Sequence, residues 1–137
     1  MNAPVTSFDA VSVSVLPPVA RFTLRIAPAD LATVSKAFGL TLPTKIGQGE
    51  QNGDRAAYCI GPDEWLLHAA EADQQAIVAA FNAVREKTPH SLVVISDREL
   101  TISVTGPAAL DLLSVACPLD LSRMANGSAK RTVFDYA

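Results

Sequence analysis

A chain of 137 residues has the length of one ordinary domain, long enough to bury roughly two-thirds of the surface its unfolded form exposes. With 49% hydrophobic and 18% charged residues it lies on the apolar side for a protein wetted over its whole surface, and this composition points to a partner. The net charge is -3 and the 11 lysines and arginines are scattered from Arg21 to Arg131, which excludes the dense basic footprint of a nucleic-acid binder.

Residues 1 to 10 read as a loose N-terminal tail, and 11 to 137 as a single domain. The opening MNAPVTSFDA lacks the basic and apolar regions of a secretory signal. No apolar run approaches the ~20 residues that span a bilayer, so no membrane contact is expected and a cytoplasmic location follows. Val11, Val13 and Val15 alternate with serines as a short strand that Pro17-Pro18 breaks. Phe22, Leu24 and Ile26 alternate with Arg21, Thr23 and Arg25, which predicts a second strand. Pro28 then opens a helix with Leu31, Val34 and Phe38 on one stripe and Gly39 at its C-terminal cap.

From Leu40 to Asp54, Pro43, Gly47, Gly49 and Gly53 stand among polar residues, and a long surface loop is the expectation. The glycine spacing is G-x-G-x-x-x-G and no strand leads into it, so it does not make a phosphate-binding loop. Arg55 to Ile60 and Glu64 to His68 form a predicted hairpin about the turn Gly61-Pro62-Asp63. Glu71 to Lys87 reads as a helix with Ile77, Ala80, Phe81 and Val84 on its buried stripe, acidic at its start and basic at its end. Thr88-Pro89 ends it.

The stretch from His90 to Ser122 reads as strand, turn, strand, helix. Ser91 to Ser96 is apolar, Asp97-Arg98-Glu99 turns the chain, and Leu100, Ile102 and Val104 alternate with polar residues. Thr105-Gly106-Pro107 opens a helix whose Ala109, Leu112, Leu113 and Ala116 share a face until Pro118. Asn126-Gly127 marks a turn, and Thr132 to Tyr136 a possible last strand.

From Ala20 onward the order is strand, helix, strand, strand, helix, strand. This predicts an α+β fold of the ferredoxin-like, split βαβ type, an antiparallel sheet with both helices on one face, extended by a C-terminal hairpin and helix. The strands from Ala20 and Glu64 take the middle. Leu66 points away from Trp65 and Leu67, and Leu92 to Ile95 are apolar on both faces, so these strands call for cover on both sides.

Few residues suggest chemistry. His68 and His90 are separated by a helix and lack a Ser, Cys or Asp partner at a meaningful spacing. Asp63 and Glu64 are neighbours, yet turn chemistry explains Asp63. Trp65 suits a core or an interface. Cys59 and Cys117 stand in no metal spacing, and Ser91, Ser96 and Ser103 lack the surroundings of a strained nucleophile. No catalytic, cofactor-binding or metal-ligating residue is assigned.

The segments GPDEWLLHA (61 to 69), HSLVVIS (90 to 96) and TGPAALDLLSVACPLDLS (105 to 122), with SAKRT at 128 to 132, resemble the gamma subunit of heterotetrameric sarcosine oxidase. At a further remove, Gly106 to Leu113 followed by Asp120 resembles folate-dependent aminomethyltransferases. The resemblance implies a non-catalytic accessory polypeptide with larger alpha and beta subunits as partners. It also implies oxidation of sarcosine to glycine, with tetrahydrofolate as one-carbon acceptor and with FAD, FMN, NAD and the folate held by the partners. Relative to that family the chain is expected to be truncated at its C-terminus, and the isolated chain to self-associate as a homo-oligomer through 92 to 95 or 100 to 104. The alternative reading is a stand-alone folate- or small-ligand-binding module with its pocket near Trp65.

Overall fold

The computed structural model describes residues 6–8 and 10–135. Among the described residues, eight strands and three α-helices are distributed between two compact units, one formed by residues 19–99 and 127–130 and a smaller one by the described parts of 1–18, 100–126 and 131–137. Both sheets are antiparallel.

The larger unit contains β3 (Ala20–Arg25), α1 (Leu31–Phe38), β4 (Gly49–Asn52), β5 (Arg55–Gly61), β6 (Glu64–Ala69), α2 (Gln74–Val84) and β7 (Ser91–Val94), with sheet order β4-β5-β6-β3-β7. Alternation decides which side chains share a face. Phe22 stands opposite Leu67 and Leu24 opposite Trp65, while Ala57 and Cys59 of β5 continue the same rows. All six are buried, and against them pack Leu31, Val34 and Phe38 of α1 with Ile77 and Phe81 of α2. The helical residues recur at three and four positions, the spacing of one face.

Both helices begin with a short 3-10 turn, at Pro28–Asp30 and Glu71–Asp73. Gly39 closes α1 at φ 80°, a conformation that favours glycine, and its N–H donates to the Ser35 carbonyl. Arg55 ties the helices together. Its guanidinium lies 5.3 Å from the Phe38 ring centroid and donates to the Phe38 carbonyl and, at 3.1 Å, to Asp73 Oδ2.

The smaller unit contains β1 (Thr6–Phe8), β2 (Val11–Val15), β8 (Ile102–Thr105) and α3 (Ala109–Ser114), in the sheet order β1-β2-β8. The Ala108 N–H donates to the Ala10 carbonyl. Gly106, at φ 114°, brings its backbone against the same residue, where any larger residue would collide.

Several sequence expectations are corrected. Residues 97–99 do not turn a hairpin, because β7 pairs with β3 in one sheet and β8 with β2 in the other; alternation marks a strand but not its partner. Thr6–Phe8, within the expected tail, pairs with β2. The expected loop from 40 to 54 contains β4, an edge strand of Gly-Glu-Gln-Asn that is mostly exposed and so carries no apolar alternation. The second long helix stops at Val84, before Thr88-Pro89, and the chain leaves it through a turn in which the Arg85 N–H donates to the Asn82 carbonyl and the Thr88 N–H to the Val84 carbonyl. Over the described part of 132–136 there is no strand, and Tyr136 lies outside the described residues.

Trp65 is 1% exposed and its Nε1–H donates to the Pro43 carbonyl at 2.7 Å, so the ring belongs to the core. Trp65→Ala is expected to cost ~3–5 kcal/mol, a large share of the ~5–15 kcal/mol that holds a domain folded. Thermal or urea unfolding checks this. Gly49 faces the Gly127 carbonyl and the Tyr58 ring, and an added Cβ would overlap the carbonyl and lie 2.8 Å from the ring. Gly49→Ala should therefore destabilise by about 1–3 kcal/mol, as overpacking does, and a variant with wild-type stability would show that the segment at Gly127 is not held there.

Candidate functional site

The side chains singled out in the sequence are absorbed by structural roles. Asp63 and Glu64 converge on Arg25, at 3.7 Å and 3.1 Å, and not on a site for acid-base work. Arg25 and Asp63 are each more than half exposed, so that pair adds little stability; Glu64, in the first position of β6, is buried. Cys59 is a buried free thiol whose pKa is pushed up by burial, with a smaller opposing effect from its bond to the Gly61 carbonyl. Cys117 is half-buried and also free. Ser96 accepts from the Arg21 backbone N–H and donates to Gln74 Oε1. Gly49 belongs to a strand, so the three glycines do not form one loop. Among the described residues no group of three His, Cys, Asp or Glu side chains could hold a metal ion.

The two histidines have separate neighbourhoods. His90 places Nδ1 2.8 Å from the Thr88 carbonyl and meets the edge of the Phe81 ring at 5.4 Å. His68 lies on β6 between Arg21 of β3 and Ala56 of β5, and meets Tyr58 edge-on at 5.7 Å. Its Nε2 is buried without a hydrogen-bond partner. Burial lowers the His68 pKa, and the neighbouring Arg21 charge lowers it further.

The smaller unit differs from the larger one in its packing. None of its residues 10–18, 100–126 and 131–135 is fully buried, whereas the closed core lies within residues 20–95. Val13, Ile102, Val104, Leu112, Leu113 and Phe134 line an open cavity of about 550 Å³. Ile102 is 55% exposed and Val115 83%. On the helix face that the sequence groups together, Leu112 is exposed while Ala109, Leu113 and Ala116 are half-buried. Phe134 went unread in the sequence; its only signal is the apolar pair Val133-Phe134 in a polar tail. In the larger unit the edge strand β7 also carries exposed Val93 and Val94. Its register pairs Phe22 with Val94 and Thr23 with Val93, and the Ile95 N–H donates to the Arg21 carbonyl. By the antiparallel alternation, the backbone groups of Leu92 and Val94 then point away from the sheet.

No family model matches the chain. Its curated relatives are sarcosine oxidase gamma subunits. The one from Corynebacterium sp. (strain U-96) is 31% identical over 102 residues, 72% of this chain and 48% of the relative, and one from an Arthrobacter species is 33% identical over 103 residues with the same coverage. The chain spans about half the length of the curated relatives it matches. Among solved structures it is similar to a chain of the heterotetrameric sarcosine oxidase from Corynebacterium sp. U-96 in complex with pyrrole 2-carboxylate, with a TM-score of 0.82 and 26% identity over 95% of this chain and 68% of that one. The glycine cleavage system aminomethyltransferase T from Bartonella henselae shares the fold, with a TM-score of 0.69 and 12% identity over 95% of this chain and 44% of that one.

His68 generates a prediction in pH. Its folded pKa lies below the unfolded value of about 6.5, so the unfolded chain binds the proton first. Stability from the neutral ring is complete above that value, falls as the pH drops from there toward the lowered folded pKa, and levels off beneath it. Urea midpoints measured from pH 7.5 to pH 5, on the scale of ordinary His titration, should decline in the wild type and decline less in His68→Gln. Equal slopes in the two proteins would show that His68 is not held neutral.

Proposed function

We propose that this chain is a non-catalytic accessory subunit of the gamma type in a heterotetrameric sarcosine oxidase complex, located in the cytoplasm. In this reading larger subunits hold the flavins, NAD and tetrahydrofolate and demethylate sarcosine to glycine, while this polypeptide covers and braces them. The similarity to gamma subunits supports it. The observation that carries it is the smaller unit, in which no residue of 10–18, 100–126 and 131–135 is fully buried although Ile102, Leu112 and Phe134 present apolar surface. Surface of that kind is stabilised by association. The strand order β5-β6-β3-β7, with α1 and α2 packed on each other, further supports assigning the larger unit to the ferredoxin-like, split βαβ type.

A stand-alone folate-binding module with its pocket near Trp65 is disfavoured, since the ring is buried and its N–H is engaged by Pro43. Among the described residues no helix is long and apolar enough to cross a membrane.

Co-expression with the alpha and beta subunits of a sarcosine oxidase tests the proposal. The expected result is stable co-purification of this chain with a flavin-containing complex, and failure to associate with subunits that are themselves folded and flavin-loaded would overturn it. Alone, the chain should sediment as a dimer or larger assembly at high micromolar concentration. Because Ile102 is more than half exposed, Ile102→Lys should abolish both associations with a melting temperature close to wild type. A variant that unfolds would instead place Ile102 in a core, and one that still associates would move the contact to another face.

A further inference from the structure

The sequence has two Asn-Gly pairs, Asn52-Gly53 and Asn126-Gly127, and all four residues are exposed. We propose that Asn126 is a site of spontaneous modification, losing its side-chain amide to become aspartate and isoaspartate, and that Asn52 is protected by its strand. The reaction requires the backbone nitrogen of the following residue to reach the asparagine Cγ. That nitrogen gives its proton to solvent base and forms the new C–N bond. The original bond from Cγ to the amide nitrogen breaks, and that nitrogen leaves as ammonia after taking up a proton. Water then opens the five-membered succinimide at either carbonyl, giving aspartate or, by the other bond, isoaspartate. No oxidant or reductant is involved.

Glycine as the following residue leaves the attacking nitrogen unshielded. Nothing lies within 4 Å of the position a Cβ would take on either Gly53 or Gly127, so this condition does not separate the pairs. Secondary structure does. Asn52 is the last residue of β4, held in register opposite Arg55, and closing the ring would swing its backbone out of the extended conformation. Asn126 lies in neither helix nor strand.

The consequence falls on residues 127–130. The Gly127 carbonyl packs against Gly49, and the Ala129 N–H donates to the Gly47 carbonyl at 2.9 Å. Isoaspartate inserts an extra methylene into the main chain immediately before this segment and adds a negative charge. The register that aligns Gly127 and Ala129 with Gly49 and Gly47 is then lost.

The full-length protein is incubated in warm, mildly alkaline buffer, and the peptides carrying residues 52 and 126 are followed by mass spectrometry, with urea-unfolded protein as control. In the folded protein Asn126 should convert with isoaspartate exceeding aspartate. Asn52 should convert about tenfold more slowly, since a pair of ladder hydrogen bonds must open first. In urea the two rates should approach each other. Asn126→Gln should block conversion at that position, and the converted wild type should exchange the Ala129 amide hydrogen faster than Asn126→Gln does. Conversion of Asn52 as fast as Asn126 in the folded protein overturns the proposal. So does an intact Asn126 in the folded protein under conditions where the urea control reacts, or unchanged exchange at Ala129 after conversion.

Discussion

The antiparallel pairing of β3 with β6 is the constraint on which the larger unit depends. It sets Phe22 beside Leu67 and Leu24 beside Trp65, and these rows form the floor onto which both helices pack. A shift of one residue in this register would turn Phe22 and Leu24 away from the helices and bring Arg21 and Thr23 toward them. Burial on one face therefore specifies the register. Trp65 adds a polar anchor, because its indole N–H reaches the Pro43 carbonyl from inside the core.

Once that core is closed, the polar side chains around it are drawn into holding the structure. Arg55 joins the end of α1 to the start of α2. Arg25 gathers Asp63 and Glu64, and Ser96 connects β3 with Gln74 at the first position of α2. Buried or half-buried polar groups need such partners, since leaving one unsatisfied costs more than the bond itself contributes. His68 and His90 are the exceptions, each with a buried Nε2 lacking a partner, and for His68 the neutral form is the one that burial and Arg21 both favour.

The smaller unit has the elements for a layered structure but not a closed interior. Three strands and one six-residue helix bring Val13, Val104 and Leu113 toward one another and leave Ile102, Leu112 and Phe134 substantially in solvent. Apolar side chains on one face of both a strand and a helix normally meet across a core. Here they meet across an open cavity, and the proposed subunit contact rests on this contrast with the larger unit.

The sequence by itself determined most elements of this protein and the inward side of β3, α1 and α2. The alternation of Phe22 and Leu24, the stripe of Leu31, Val34 and Phe38 and the helix-capping Gly39 are local patterns, and each follows from the period of its own backbone. Pairing was beyond its reach wherever strands far apart in sequence compete for the same partner. Residues 100 to 105 read as a strand from their own alternation, yet the choice of β2 over β7 is made by long-range hydrogen bonds that leave no mark in either segment. β4 was missed for the complementary reason, because an exposed edge strand is held by its backbone and asks nothing apolar of its side chains. The resemblance in GPDEWLLHA and TGPAALDLLSVACPLDLS pointed to a gamma-type subunit from the sequence. Which apolar residues would be left open was decided only by the tertiary structure, since Leu24 and Ile102 sit in equally good strand patterns and differ in whether enough of the protein packs over them to exclude water.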